Sequence, residues 1–319
     1  MAIGEFDLIQ KYFTRPVQRA ALGVGDDCAL FAPGPGMQLA VSSDMLVEGR
    51  HFLSTVLPAR LGHKALAVNL SDLAACGARP VAFTLALALP RADEVFLAGF
   101  SQGLLALADA HGCELIGGDT TQGPLNICIT VFGELPTGTA LLRSGARASD
   151  DIYVSGTVGD ARLALEVFRG TQRLDGAEFK AVRKAMECPP ARVALGLALR
   201  GVATSAIDVS DGLLGDLQHI LRRSGVGATV NADAVPRGEV LRKLPTAVQR
   251  HLSLAGGDDY ELVFTAAPQH AAQVQKAAAL AGVAVTCIGR IDASAELKLT
   301  DGQGQALTTT FDSFDHFRA

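Results

Sequence analysis

The chain contains no tryptophan, and aromatic residues make up only 5% of its 319 positions. That scarcity argues against a surface that stacks nucleic-acid bases. No run of lysine and arginine occurs, and the net charge is −5, so broad electrostatic attraction to nucleic acid or an anionic membrane is not expected. The apolar stretch from Val81 to Leu89 is far too short to span a bilayer. The opening Met1-Ala2-Ile3-Gly4-Glu5 lacks the basic and then apolar pattern of a signal peptide, and a cytoplasmic protein is expected. The six cysteines show no C-x-x-C spacing and sit among small or apolar neighbours, which predicts buried thiols rather than a metal site or disulfides. Familiar nucleotide motifs are also missing. There is no Gly-Lys dipeptide and hence no P-loop, no G-x-G-x-x-G follows a strand, and the protein-kinase set is absent.

What is present is a large apolar fraction, 49%, rich in Ala, Val and Leu. It suffices for two cores, and the length exceeds what one core commonly serves. Strand-like and helix-like segments alternate throughout, so both halves read as mixed α/β. In the first half the pattern predicts a helix over 5–13, strands over 28–32 and 38–43, a helix over 60–76, a strand over 81–89, a helix over 93–111 and strands over 113–116 and 126–135. Pro136-Thr137-Gly138-Thr139 and the polar run from Arg143 to Asp151 mark the boundary, giving domains 1–146 and 147–319. The second half predicts strands near 151–155, 227–231, 260–266, 283–291 and 296–300, with a short one running into Asp208. Its helices are expected near 159–169, 190–200, 213–223 and 268–281.

Onto this frame the sequence sets six stretches in which acids sit beside small residues: Gly25-Asp26-Asp27, Ser42-Ser43-Asp44, Asn69-Leu70-Ser71-Asp72, Gly117-Gly118-Asp119, Asp208-Val209-Ser210-Asp211-Gly212 and Gly257-Asp258-Asp259. Any one Asp beside a Gly is readily explained as a turn residue or helix cap. Asp72 is not, because it falls inside a helical pattern with Asn69 one turn earlier, and a polar pair on such a helix needs a partner. If several carboxylates converge, each like-charged pair about 4 Å apart repels by roughly 4 kcal/mol at an effective dielectric near 20. Few basic residues accompany these stretches, so a hard divalent cation is the expected counter-charge, and Asp and Ser oxygens point to Mg²⁺. Sites of this composition commonly bind Mg²⁺ together with substrate phosphates.

As an ordered set these stretches resemble a known family. Gly4-Glu5-Phe6-Asp7-Leu8-Ile9, Gly25-Asp26-Asp27-Cys28-Ala29, Asp44 with His51-Phe52, Ala67-Val68-Asn69-Leu70-Ser71-Asp72-Leu73-Ala74-Ala75, Gly117-Gly118-Asp119-Thr120-Thr121, Ile207-Asp208-Val209-Ser210-Asp211-Gly212-Leu213 and Gly257-Asp258-Asp259-Tyr260-Glu261-Leu262 are similar in order and spacing to the thiamine-monophosphate kinases. The likeness runs on to Asp315-His316-Phe317. It implies the two-domain fold of the aminoimidazole ribonucleotide synthetase superfamily: an N-terminal α/β domain whose sheet pairs with that of a second subunit in a homodimer, and a larger C-terminal α/β domain, with the active site between domains. The implied activity is direct, in-line phosphorylation of thiamine monophosphate by ATP to give thiamine diphosphate, supported by several Mg²⁺ ions.

Residue by residue, the resemblance implies magnesium ligands at Asp27, Ser42, Ser43, Asp44, Asp72, Asp119, Asp208 and Asp211, with Asp44 and Asp119 the most critical for catalysis. Gly118, Asp119, Arg143 and Ser210 would contact ATP; His51, Asp258 and Phe314 would contact the thiamine phosphate. Ser43 stands where relatives often carry Thr and keeps the hydroxyl, whereas Asp258 replaces a frequent Glu with a shorter acid. Two other readings use the same residues: a different ATP-dependent enzyme of the superfamily, and a non-catalytic magnesium-nucleotide binding protein. Without the resemblance, His51 reads as a loop histidine and Arg143 as a solvated interdomain charge.

Overall fold

The computed structural model describes residues 4–25, 27–309 and 311. Its backbone divides into two compact units, Met1–Leu73 with Ala78–Gly138, and Ala74–Gly77 with Thr139–Ala319. Asp26 and Phe314, and the Asp315-His316-Phe317 end of the resemblance, lie outside the described residues.

In the first unit, helix α1 (Glu5–Tyr12) precedes strand β1 (Met37–Val47), helix α2 (Pro58–Ala75), strand β2 (Arg79–Leu89), helix α3 (Glu94–His111) and strands β3 (Glu114–Gln122) and β4 (Asn126–Pro136). The four strands form one sheet in the order β1-β4-β2-β3. β1 runs past its expected end at residue 43 because β4 offers an antiparallel ladder of equal length, from Met37 opposite Pro136 to Val47 opposite Asn126. β3 likewise continues past residue 116 through Gly117-Gly118-Asp119, which pair with Thr84, Leu85 and Ala86 of β2 in parallel register. The strand expected over 28–32 does not form, and only a bridge between Leu22 and Leu30 survives there.

β2 lies inside the sheet, and Val81, Phe83, Leu85, Leu87 and Leu89 are all buried, as its continuous apolar run requires. α3 begins where Asp93 accepts hydrogen bonds from the Val95 and Phe96 amides, both at 3.1 Å, and ends at Gly112 in the left-handed conformation. α2 and α3 approach so closely that a Cβ on Gly103 would lie 1.8 Å from the Ala59 carbonyl oxygen. Among the described residues, the face of β1 opposite Ser42 and Asp44 carries exposed apolar side chains. Met37, Leu39, Val41 and Met45 alternate along it and are between 38% and 58% exposed.

The second unit carries a six-stranded sheet in the order β10-β7-β9-β5-β8-β6. Its elements are β5 (Asp151–Ser155), α4 (Asp160–Phe168), α5 (Gly176–Glu187), α6 (Val193–Leu199), β6 (Ser205–Asp208), α7 (Leu213–Ser224), β7 (Gly227–Asn231), α8 (Thr246–Ala255), β8 (Leu262–Ala266), α9 (Ala271–Ala281), β9 (Val285–Asp292) and β10 (Leu297–Thr300). β10 runs parallel to β7 and the other pairs are antiparallel. Val154, Val209, Leu217, Ile220, Val230 and Val263 share the main core, while α4, α5 and α8 close a second cluster through Leu163, Val182 and Leu252. The cysteines are all free, as expected, yet only Cys113 is buried, and burial pushes its thiol up to about 12. Cys28 and Cys287 are exposed.

Candidate functional site

The polar face predicted on α2 finds its partners on β1. Ser42 Oγ donates to Asp72 Oδ2 at 2.5 Å, and Asn69 Oδ1 accepts from the Asp44 amide at 3.2 Å. Asn69 is held in turn by donating from Nδ2 to the Ala65 carbonyl at 3.0 Å, one helical turn back. Two residues along the strand and three along the helix keep Ser42 with Asp72 and Asp44 with Asn69 in step, since strand residues two apart share a face. Ser43 points to the other face, where its hydroxyl bonds the Ile129 carbonyl at 3.1 Å and meets Thr130 Oγ1 at 3.0 Å.

Asp119 and Gly118 lie on β3, at the far edge of the sheet from β1. The cross-strand row Asp44–Ile129–Leu85–Gly118 sets them level with the Ser42–Asp44 segment, three strand spacings away, on the order of 14 Å along the sheet. The sheet therefore does not bring Asp44 and Asp119 into contact. Gly118 has φ +147°, and a Cβ there would stand 1.9 Å from the Leu85 carbonyl oxygen, so no other residue fits beside Asp119. Gly118 and Asp119 line a small cleft with Ile9 and Phe13 at the start of the chain and with Val24 of the first acidic glycine stretch. Asp27 follows in that stretch and is exposed. His51 is half-buried just beyond β1, its Nδ1 accepting from the Val47 amide at 3.0 Å, which makes the neutral ring an Nε2–H tautomer.

Sequence reasoning missed the groups that hold this loop. Glu114 accepts from the Gln18 amide at 2.8 Å and from Arg19 and Ala20, and Glu134, nearly buried, accepts from Arg19 Nη2 at 2.7 Å and the Gly34 amide at 3.0 Å. Burial pushes the Glu134 carboxyl upward, but the bonds from Arg19 and Gly34 outweigh it, and it sits below its ordinary value.

In the second unit, β6 carries Asp208, buried at 4% exposure, into the turn Ser210-Asp211-Gly212 that opens α7. The Ser210 carbonyl accepts from the Asp258 amide at 2.7 Å, and the Val209 carbonyl from the Tyr260 amide at 2.9 Å. These bonds bring three sequence-predicted residues, Ser210, Asp211 and Asp258, into one patch. Asp258 and Tyr260 have φ of +71° and +52°, left-handed conformations that side chains other than glycine adopt at a cost. The segment is pinned on both sides of that strain. Asp259 is buried and takes the Gly159 amide on both oxygens at 2.9 and 3.0 Å, and burial holds its carboxyl well above the usual range. Glu261 receives Arg192 in two parallel bonds of 2.6 and 2.5 Å and the Ser155 hydroxyl at 2.5 Å.

Asp216, also unforeseen, collects the amides of Ser210, Asp211 and Gly212 on one oxygen at 3.0, 3.1 and 3.1 Å. Burial first, then the nearby Asp211, pushes its carboxyl up to about 7 against those three bonds. Arg143 is exposed, and its carbonyl accepts from Ser224 Oγ at 3.3 Å, at the end of α7. On the same helix, burial lowers the His219 ring and the Arg143 charge lowers it further, while Asp211 opposes them.

Comparison with known proteins places the chain. Residues 25–135 match the family model for AIR synthase related proteins, N-terminal domain, and residues 147–302 match the C-terminal domain of the same group. The thiamine-monophosphate kinase of Salmonella typhimurium is 44% identical, covering 99% of each chain. The chain belongs to the thiamine-monophosphate kinase family. Among solved members, the crystal structure of thiamine-monophosphate kinase from Stenotrophomonas maltophilia K279a superposes with a TM-score of 0.84 at 44% identity, covering 91% of this chain and 92% of that one. AaThiL complexed with AMPPCP and TMP superposes with a TM-score of 0.77 at 27% identity, over 90% and 89% of the two chains. The mixed α/β fold expected for the family is the one observed.

The donor set bears on magnesium. Among the described residues no three His, Cys, Asp or Glu side chains are placed to hold a metal ion. Oxygen donors instead come in smaller groups: Ser42 bonds Asp72 in one unit, and in the other Asp208 and Asp211 lie three residues apart in the chain just before α7. Such a set fits Mg²⁺, which takes one or two carboxylates and completes its shell with waters and substrate phosphates.

Proposed function

We propose that this protein transfers the γ-phosphoryl group of ATP to the phosphate of thiamine monophosphate, forming thiamine diphosphate by in-line attack without a phosphoenzyme. The observation that carries this reading is 44% identity along 99% of both chains to a protein of that named activity. The relative complexed with AMPPCP and TMP supports the choice of substrates.

In this reading Asp27, Ser42, Asp44, Asp72, Asp119, Asp208 and Asp211 would hold Mg²⁺, which would supply charge neutralisation to the transferring phosphoryl group; Ser43 can join them only through its main chain, because its hydroxyl lies on the opposite face of β1 against Ile129 and Thr130. The chain's own part is placement. Asn69 fixes the backbone of Asp44, Ser42 fixes the carboxylate of Asp72, and Gly118 lets β3 pass close enough to β2 to present Asp119. Gly118, Asp119, Arg143 and Ser210 contact the nucleotide, and His51, Asp258 and Phe314 the acceptor. The Nε2–H of His51 can donate to a phosphate oxygen. The acceptor phosphate oxygen is already ionised near neutral pH, so positioning and electrostatics suffice and no general base is required.

We further propose a cytoplasmic homodimer formed on the open face of the first unit's sheet. The four exposed apolar side chains of β1, with Cys128 opposite Met45, support this, because a stripe of that kind is unusual on a monomer. The direct test of the activity is formation of thiamine diphosphate from ATP and thiamine monophosphate by pure protein with Mg²⁺. Absence of product there refutes the reading.

A further inference from the structure

We propose that Asp216 is a positioning residue for the reaction: its carboxylate sets the Ser210-Asp211-Gly212 turn in the one conformation that offers side chains, rather than backbone amides, to the bound metal and nucleotide. The role rests on the activity proposed above. Asp216 Oδ2 alone accepts three consecutive amides at 3.0 to 3.1 Å, and the side chain is 3% exposed, so the contact is shielded from water. Charge-assisted bonds of this kind are about twice as strong as neutral ones.

The turn needs such an anchor. Gly212 has φ +128°, and a Cβ there would lie 2.9 Å from the Ala255 carbonyl oxygen, so the conformation is open only to glycine and is entropically costly to hold. Three co-directed amides at the start of α7 would otherwise form an anion site. Asp216 fills that site from within the first turn of the same helix, where a negative charge also suits the helix dipole. The turn is thereby left with the Ser210 hydroxyl and Asp211 carboxylate as its free chemistry, which suits a cation. The effect reaches further, because Ser210 donates its amide to Asp216 and accepts the Asp258 amide on its carbonyl oxygen.

Asp216→Ala removes the acceptor; Asp216→Asn keeps an oxygen but loses the charge. The test measures kcat, KM for thiamine monophosphate and the Mg²⁺ concentration for half-maximal rate in both variants, beside melting curves. Asp216→Ala is expected to raise the half-saturating Mg²⁺ concentration about 10-fold and to lower kcat about 10- to 100-fold, the usual cost of removing a group that orients metal ligands. Asp216→Asn is expected between the wild type and Asp216→Ala, with half-saturation raised about 3-fold. A purely structural role lowers melting temperature and active fraction but leaves the Mg²⁺ dependence unchanged, and that pattern overturns the proposal. So does Asp216→Asn indistinguishable from wild type, whether or not Asp216→Ala folds. Wild-type protein that makes no thiamine diphosphate refutes the assigned reaction instead. Amide hydrogen exchange without ligand then decides the anchor: loss of protection at 210–212 in Asp216→Asn supports it, and wild-type protection overturns it.

Discussion

Gly118 offers the sharpest test of how the sheet presents Asp119. A methyl group on Gly118 would stand 1.9 Å from the Leu85 carbonyl oxygen and 2.6 Å from its carbon, and backbone φ there is +147°. The conformational strain costs about 1–3 kcal/mol. Relieving the overlap parts β3 from β2 by about 1 Å and costs a further 1–3 kcal/mol of the kind seen on overpacking. The two neighbouring glycines separate these effects. Gly112, at the end of α3, has φ +59° but nothing within 4 Å of a Cβ, so Gly112→Ala carries conformational strain alone, about 1 kcal/mol. Gly117 has only the Thr84 methyl at 3.8 Å, so Gly117→Ala should change stability by no more than about 1 kcal/mol. Urea denaturation of the three variants should thus rank Gly117→Ala, Gly112→Ala and Gly118→Ala in rising cost, with the last near 4 kcal/mol. Thiamine diphosphate formation should fall about 10²-fold in Gly118→Ala alone, because a 1 Å displacement of Asp119 is enough to lose that much. If Gly118→Ala matches Gly117→Ala in both stability and rate, the close approach of β3 to β2 is not what positions Asp119.

Three further outcomes are expected. Asp44→Asn and Asp119→Asn should each lower activity by at least about 10²-fold with unchanged circular dichroism, since each removes a charge from the proposed phosphoryl-transfer site; near-normal turnover in both would make these acids structural. Val41, 58% exposed midway along the open face of β1, should give a monomer in sedimentation when changed to Asp if that face joins two copies, and an unchanged mass would rule the face out. Arg19→Ala should destabilise the protein at pH 7 because it strips a partner from nearly buried Glu134. Glu134 has a lowered folded value, so its contribution is present above the ordinary carboxyl value near 4.3 and is lost as pH falls through the folded one. The Arg19→Ala deficit should accordingly shrink in urea melts at low pH, and a deficit that persists when Glu134 is neutral would show that packing, not charge, is at stake.

The sequence carried the fold wherever an element was continuous and its partners were implicit in its own pattern. β2 reads as a buried strand because its apolar run is unbroken, and α3 as a helix because Asp93 and Gly112 bracket it. The ends of β1 and β3 were illegible because each is prolonged by a ladder partner distant in sequence, so Asp44 and Gly117-Gly118-Asp119, expected at or beyond strand ends, lie inside strands. α5 and α8 went unseen between recognised elements. α5 does carry a local signal, the Asp175 and Glu178 capping box, whereas α8 starts after Pro245 with no side-chain cap and is held by tertiary packing through Leu252. At the site, the helical spacing of Asn69 and Asp72 announced a polar face, but nothing local could say that Ser42 and Asp44 would meet it.

The acids divide by what their oxygens already hold, and this revises the electrostatic argument that led to a cation. Counting every acid of the six stretches as a repelling charge overstates the problem, because Asp259 spends both oxygens on the Gly159 amide, just as Glu114 and Asp216, outside those stretches, spend theirs on loops they fix in place. At Asp216 and Asp259 burial outweighs those amides and raises both carboxyls. Asp216 and Asp259 are more than nine-tenths buried, where a cation would have to displace those amides and leave them without partners, at about 1–3 kcal/mol each. Of the acids proposed above as metal ligands, Asp27 and Asp119 are exposed, whereas Asp208 is buried at 4% exposure. In the sequence the two kinds look the same, since a carboxylate near a turn fits either role. Asp216, one helical turn after Gly212, and Glu114, far along the chain from residues 18–20, each reach back to a loop, while Asp259 captures the Gly159 amide from inside its own glycine stretch. A glycine beside the acid therefore does not set its role; the amides that its oxygens capture do.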